Sequence, residues 1–393
     1  MGFYSEYLDK GMSFQDLTAE RKVQLKRISQ LRSGRDVLIY ASDVSKTGQA
    51  PIAVSYDDLL PLTDQLANLK GQKVDVILET PGGSAEVAED IVKLLRAKYS
   101  EVAFIIPGMA KSAGTIIVMS GDEILMDPAS SLGPIDAQIQ WEGKSFSAEA
   151  FLKGLDKIKE EVATSGSLNR AYIPILQRIS PGEIQHFINA LEFAKTLVTD
   201  WLNNYKFKNW KNHSRTGELV TEEERRNKAR EIAGILCNHT RWLTHGRSIK
   251  LADLEEIGLR ITDYGKEQQL SDAIGRYHVL LEMTFSSNIY KVFETAESQI
   301  YRFLAPAGAL MAPPPLGGGA PAAGHVLAQI KCGKCGKDHS IQCDFGQLQP
   351  LQPGAKKYPK DDILICDQCK TPHNLGDLRR QLELQLKKEI IRT

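Results

Sequence analysis

The residues of this 393-residue chain with the most chemical potential are one serine and four cysteines. Ser112 lies in Pro107-Gly108-Met109-Ala110-Lys111-Ser112-Ala113-Gly114-Thr115, a small, polar, glycine-bearing turn between the apolar runs 102–106 and 116–119. It is the only residue there with nucleophilic potential at neutral pH, given a base. About thirty residues earlier a second turn, Glu79-Thr80-Pro81-Gly82-Gly83-Ser84, follows the apolar run 74–78. Glycines leave the backbone open, so the N–H of Gly83 or Ser84 is free to face a substrate carbonyl. The N–H of Ala113, at a helix start, adds a second donor and the positive end of the helix. A nucleophile plus two oxyanion donors is the minimum for acyl transfer. Taken singly, each stretch is an ordinary strand-to-helix turn.

Acyl transfer also needs a base. The first histidine in the chain is His186, more than seventy residues beyond Ser112, which disfavours a local Ser–His pair and directs attention to lysine. A lysine serves as base when burial lowers its pKa. Lys153 and Lys157 neighbour Leu152, Leu155 and Ile158 on the helix expected next. Lys144 falls in a polar loop, and Lys111 adjoins Ser112 and points elsewhere. For each lysine the plain alternative is a solvated helix face.

Cys332-Gly333-Lys334-Cys335 and Cys366-Asp367-Gln368-Cys369 are two Cys-x-x-Cys pairs separated by thirty residues. Glycine or lysine after the second cysteine lets backbone N–H groups reach sulfur. Four thiolates at this spacing suit one tetrahedral Zn2+ in a closed, structural site. Cys343, His339 and His373 lie nearby as spare ligands. Lysines cluster modestly here but lack the aromatic platform of single-strand binders, so a substrate- or partner-recruiting module is expected rather than a nucleic-acid one.

The elements that must position these groups follow from periodicity. Strands are expected at 37–40, 74–78, 102–106 and 123–126, alternating with helices at 55–68, 85–96 and 112–120, which implies βαβ units and a mostly parallel sheet. Sites in such sheets form beyond the carboxyl ends of the strands, where both turns lie. Residues 127–140 read as a loop and extended segment. Helices follow at 147–163, 171–178, 181–205 and 222–240, and 222–304 reads as all-helical. Residues 1–33 read as peripheral amphipathic helix. Residues 304–324, rich in Pro, Gly and Ala, cannot form a packed core and read as a linker. A small domain with a terminal helix at 375–391 follows.

Lys plus Arg equals Asp plus Glu at 49 each, so no global field points to nucleic acid or a membrane. The cysteine pattern favours a reducing cytoplasm. The start of the chain shows neither a signal-type apolar core nor a myristoylation signal, and no apolar run reaches the ~18 residues of a membrane span.

The ordered motifs Glu79–Ser84, Ala110-Lys-Ser-Ala-Gly-Thr115 and Asp127-Pro-Ala-Ser-Ser-Leu-Gly-Pro-Ile-Asp136 resemble the Clp protease/crotonase superfamily. The likeness is to its signal peptide peptidase A branch, and most to the serine dehydrogenase proteinase family; Trp242-Leu-Thr-His-Gly-Arg247 also resembles that family. The resemblance covers roughly 35–265. It implies an α/β fold, a ClpP/crotonase-like spiral of ββα units with a helical extension, to which the cysteine spacing adds a small C-terminal zinc-ribbon domain. The corresponding domains are 1–33 (helical segment), 34–210 (protease core), 211–304 (helical extension), 305–325 (linker) and 326–393 (zinc ribbon). It further implies hydrolysis of peptide bonds in peptide or unfolded-protein substrates, homo-oligomerisation, and room for association with a membrane. Ser112 matches the nucleophile, and Gly83 and Ala113 the oxyanion donors. Gly82, Ser84 and Gly133 are expected on the substrate side. Neither Lys153 nor Lys157 is singled out by a motif. A crotonase-like thioester enzyme, and a silent scaffold working through the zinc ribbon, are the competing readings.

Overall fold

The computed structural model describes residues 2–141, 144–213, 216–304, 324–332, 334–386 and 388–392. Most of the expected 305–325 linker, up to 323, falls outside them. The chain divides into two compact units, Met1–Leu304 and Ala305–Thr393.

In chain order the first unit runs α1 (Phe3–Asp9), α2 (Phe14–Leu31), β1 (Asp36–Ser42), α3 (Leu59–Ala67), β2 (Lys73–Glu79), α4 (Ala85–Lys98), β3 (Glu101–Ile106), β4 (Met109–Ala110), α5 (Ala113–Val118), β5 (Glu123–Met126) and β6 (Ser131–Leu132). It continues through β7 (Gln138–Trp141), β8 (Lys144–Ser147), α6 (Ala148–Ser165), α7 (Ile173–Leu176), α8 (Pro181–Trp201), α9 (Glu222–Cys237), α10 (His239–Trp242), α11 (Leu251–Glu256), β9 (Thr262–Asp263), α12 (Gln268–Phe285), β10 (Ile289–Glu294) and β11 (Gln299–Phe303). Seven strands form one sheet in the order β11-β10-β1-β2-β3-β5-β9. From β1 to β9 neighbours are parallel, while β10 and β11 add antiparallel at the β1 edge. The strands are near-continuous aliphatic runs because both faces are covered. One face packs Leu38, Val76 and Phe104 against Val87, Ile117 and Val198. The other packs Ile39, Ile77 and Ile105 against Leu25 and Ile28 of α2 and Ile274 and Leu281 of α12.

Three expectations are corrected here. Residues 222–304 are not all helical: β9, β10 and β11 are strands of the main sheet. The pattern of β10 is disguised by two buried charges, Lys291, held by Asp58 at 2.7 Å, and Glu294, held by Arg21 at 3.0 Å. The segment before residue 34 is not peripheral, because Arg21 of α2 is fully buried in that second pair. Charges cut off from water stay ionised only when paired, so this pair ties α2 to β10. The helix expected at 171–178 shrinks to Ile173–Leu176 with a preceding 3-10 turn.

The second unit contains β12 (His325–Lys331), β13 (Asp338–Asp344), β14 (Ala355–Lys357), β15 (Ile363–Ile365), β16 (Pro372–Asn374) and α13 (Gly376–Leu386). Two ladders, β12-β13-β14 and β15-β16, surround a small core of Ile341, Cys343, Tyr358, Leu364 and Leu375. The terminal helix stops short of 391, and Ile390 instead bridges to Phe345.

Candidate active site

Ser112 caps the N-terminus of α5 in an unusual backbone conformation, φ +50° and ψ −117°. Only glycine enters that region without strain, so about 1–3 kcal/mol is stored at this residue. Its surroundings impose the shape. Thr80 N–H donates to Met109 O and Lys111 N–H to Thr80 O, both at 3.0 Å, clamping the two turns together. Thr115 Oγ1 donates to Ala110 O at 2.8 Å and accepts from Gly133 N–H at 3.0 Å, which adds the loop after β6. A strand-to-helix bend of this kind lifts a nucleophile clear of the backbone.

The hydroxyl is also unspent. Ser13, Ser84, Ser147, Ser180 and Thr221 each cap a helix with their side-chain oxygen. Ser112 makes no such bond, and neither its hydroxyl nor the Ala113 N–H has a hydrogen-bond partner among the described residues.

Gly83 sits opposite. Val54 N–H donates to Gly82 O at 2.8 Å, and Ser84 N–H donates to Val54 O at 3.0 Å. Peptide groups alternate in direction along an extended segment, so the Gly83 N–H faces away from Val54. A Cβ on Gly83 would stand 2.4 Å from Val54 backbone atoms, at φ +153°. Thus Ser112, Gly82, Gly83 and Ala113 come together. Ser84 does not belong with them: its N–H is taken by Val54, and its hydroxyl accepts from Val87 N–H at 3.1 Å as the cap of α4. Gly133 is buried against Lys111, where a Cβ would stand 2.8 Å from Lys111 Cδ.

The lysines part company. Lys111 donates to Leu132 O at 2.8 Å and Ser248 Oγ at 3.0 Å, and burial together with the Lys250 ammonium pushes its amine down to about 8. Lys153 is bound to Glu149, one turn away on α6, and to Thr240 Oγ1. Lys157 is exposed one turn further on. Neither is drawn to Ser112 within a single chain.

A polar group missed by the reading of the sequence lies beside this network. Asp136, fully buried, accepts from His245 Nδ1 at 2.7 Å and from His239 Nδ1 at 3.0 Å. Burial would raise its carboxyl, but the bonds from His245 and then His239 outweigh it and hold the carboxyl below its usual range. Glu149 accepts from the His239 backbone N–H, so Lys153, Glu149, His239, Asp136 and His245 form one chain of contacts. The usable signal was Asp136 itself, since an acid inside an apolar stretch requires partners.

In the second unit the four cysteine sulfurs converge. Cys332 Sγ lies 3.4 Å from Cys369 Sγ and Cys335 Sγ 3.6 Å from Cys366 Sγ, all as free thiols. The two knuckles match. Gly336 and Lys370 adopt φ +74° and +59°, and their N–H groups donate to Cys332 O and Cys366 O at 2.9 Å. Cys332 and Cys366 N–H return bonds to Lys337 O and Thr371 O. His339 and His373 Nε2 stand 3.3 and 3.2 Å from Cys366 and Cys332 sulfur. They are neighbours of the sulfurs and add nothing the four thiolates lack. The donor set fits a metal ion such as zinc.

Parallel βα units with these turns beyond the strand ends define an α/β protein of the ClpP-like class. Within that class, residues 64–174 match the model of the ClpP-like SDH-type serine proteinase. Two curated relatives come from Methanocaldococcus jannaschii. Uncharacterized protein MJ0137 is 27% identical over 193 residues, 49% of this chain and 54% of the relative. Uncharacterized protein MJ1495 is 26% identical over 188 residues, 48% and 51%. The chain thus spans about half the length of the curated relatives it matches. Similar solved structures include a variant of the 1510-N membrane-bound stomatin-specific protease, at TM-score 0.31 and 15% identity, covering 56% of this chain and 80% of that one. The ClpP protease catalytic domain from Plasmodium falciparum aligns at TM-score 0.21 and 19% identity, covering 31% and 60%. Superpositions this loose carry no weight for fold or activity.

Proposed function

We propose that this protein is a serine peptidase acting on peptides or unfolded polypeptides. The observation that carries the reading is Ser112: a strained N-cap serine whose hydroxyl caps nothing, set beside the outward-facing N–H of Gly83 and the unspent N–H of Ala113. Ser112 Oγ attacks the peptide carbonyl carbon as its proton passes to a base. The two N–H groups receive the oxyanion. The C–N bond breaks, the amine leaves with that proton, and water hydrolyses the acyl-enzyme. We assign the base to Lys153, released from Glu149, in preference to Lys157. Lys153 already contacts Thr240, in the segment that carries His239 and His245. The 2.7 Å bond from His245 to Asp136 favours a second reading, in which Asp136 orients His245 as the base.

The core works as a homo-oligomer, and the C-terminal unit holds a structural Zn2+ and recruits substrate or a partner. We place the protein in a reducing, cytoplasmic compartment. Among the described residues no helix is long and apolar enough to cross a membrane.

The test is acyl-enzyme trapping on the purified full chain with an unfolded casein and with a fluorophosphonate, read by intact mass. Ser112 should carry the adduct, and Ser112→Ala should abolish both labelling and hydrolysis. Turnover of an acyl thioester that survives Ser112→Ala would instead establish the crotonase-like reading. Absence of both activities would establish the scaffold.

A further inference from the structure

Behind the first turn, on the face of the sheet covered by α12, Glu79, His278 and Glu282 converge. Glu79 is the last residue of β2 and its side chain is only 8% exposed. His278 and Glu282 lie one turn apart on α12. Glu79 Oε2 stands 3.1 Å from His278 Nε2, and His278 Nε2 stands 3.8 Å from Glu282 Oε1. One donor atom from each residue fits within 4.8 Å of the others.

At 3.1 Å the two form an ion pair when the imidazole is protonated, yet Glu79 Oε2 and His278 Nε2 are both buried and neither meets hydrogen-bond geometry with a partner among the described residues. A buried polar atom without a partner is costly, and two that face each other at this distance call for something between them. Two ligands each about 2.0–2.2 Å from one ion, at angles near 90–110°, sit roughly 3.0–3.4 Å apart. The fold makes room for this arrangement. Gly108 is packed against Glu79, and a Cβ there would stand 2.4 Å from Glu79 Oε1.

We propose that Glu79, His278 and Glu282 bind a divalent first-row transition-metal ion. One imidazole with two carboxylates suits Mn2+, Fe2+, Co2+ or Zn2+ better than Mg2+ or Ca2+, which take oxygen ligands. Glu282 is 47% exposed and supplies the solvent side, where water completes the coordination. The ion joins α12 to the end of β2, one residue before Thr80-Pro81-Gly82-Gly83. These are positioning residues for that turn. The site stands on its own geometry and does not depend on the peptidase reading.

The test uses the full chain carrying a single equivalent of zinc, held by its four cysteines, titrated with Mn2+ and followed by the EPR signal of the free ion. Wild type should bind one Mn2+ per chain with a rise in Tm. His278→Ala should abolish that binding. Glu282→Gln, at an exposed position that cannot disturb folding, should weaken it about tenfold or more. The proposal is overturned if wild type carrying a single equivalent of zinc, held by the cysteines, binds no Mn2+, or if Glu282→Gln and His278→Ala bind it as wild type does.

Discussion

Gly82 faces Ser112 across a gap that admits no side chain: a Cβ at 82 would stand 2.6 Å from the Ser112 Cβ and 2.7 Å from the Lys111 carbonyl oxygen. The backbone at 82 is also left-handed, φ +103°. The nucleophile and the turn that presents Gly83 are therefore fitted to each other at the level of single atoms. Gly82→Ala should push the turns apart by a fraction of an ångström to an ångström. Acylation of Ser112 should fall about 100-fold, because displacement on that scale costs that much in a positioned reaction. Rates of fluorophosphonate labelling against the thermal unfolding curve check this; labelling at the wild-type rate would show that the contact is idle.

The serines at 84 and 112 both cap helices by position, yet opposite stability effects are expected. Ser84→Ala removes a real cap and should destabilise by about 1 kcal/mol. Ser112→Gly removes no cap and relieves a left-handed backbone, so its stability should equal or exceed that of wild type by up to about 1–2 kcal/mol, while acylation disappears. Urea unfolding of the two variants separates them.

The base can be found by comparing Lys153→Met with His245→Asn. If Lys153 takes the proton, Lys153→Met should lower the hydrolytic rate by about 10²–10⁴-fold, and His245→Asn should have a smaller effect. The reverse order would hand the role to the imidazole that Asp136 holds. Because Glu149 joins Lys153 to His239, the double variant should lose less than the product of the two single losses.

Lys111 should leave a signature in pH dependence. Its folded amine is depressed to about 8 by burial and by Lys250. In the unfolded chain it titrates near the ordinary ~10.4. Between those values the unfolded chain binds more protons at this amine, so stability rises with pH across the window. Below about 8 the folded protein must hold the proton at the disfavoured site. Urea midpoints between pH 7.5 and 10 should slope upward, and less steeply in Lys111→Met.

Loss of the ion held by the four cysteines should act on the second unit. With Co2+ in place of zinc, the thiolates should give an intense near-ultraviolet charge-transfer band that Cys366→Ser weakens. Chelation should melt the ladders of the second unit. A second unit that stays folded without metal would show that its small core suffices.

The parts of this molecule legible in the sequence are those written in neighbouring residues. The glycine turn at 82–83, the serine turn at 112 and the two Cys-x-x-Cys knuckles are local patterns, and each sits at the end of a readable strand. What was not legible depends on distant pairing. β10 passed for helix because Lys291 and Glu294 look like surface residues until Asp58 and Arg21 are brought to them. Asp136 showed no sign of its histidines because they lie more than a hundred residues further on. Ser84 reads as a substrate-side residue or as a cap because a turn serine and a capping serine have the same spelling, and its bond to Val87 is that of a cap.

The place of β1 has a bearing on how the chain is made. It lies between β2 and β10, and its partner on one side is synthesised near the end of the first unit. From the moment Asp36–Ser42 leaves the ribosome until Ile289–Glu294 follows, one flank of this strand offers bare N–H and carbonyl groups to anything that passes. Arg21 waits as long for Glu294. A product truncated before Ile289 would keep that edge open, and an open strand edge is where one chain pairs with another.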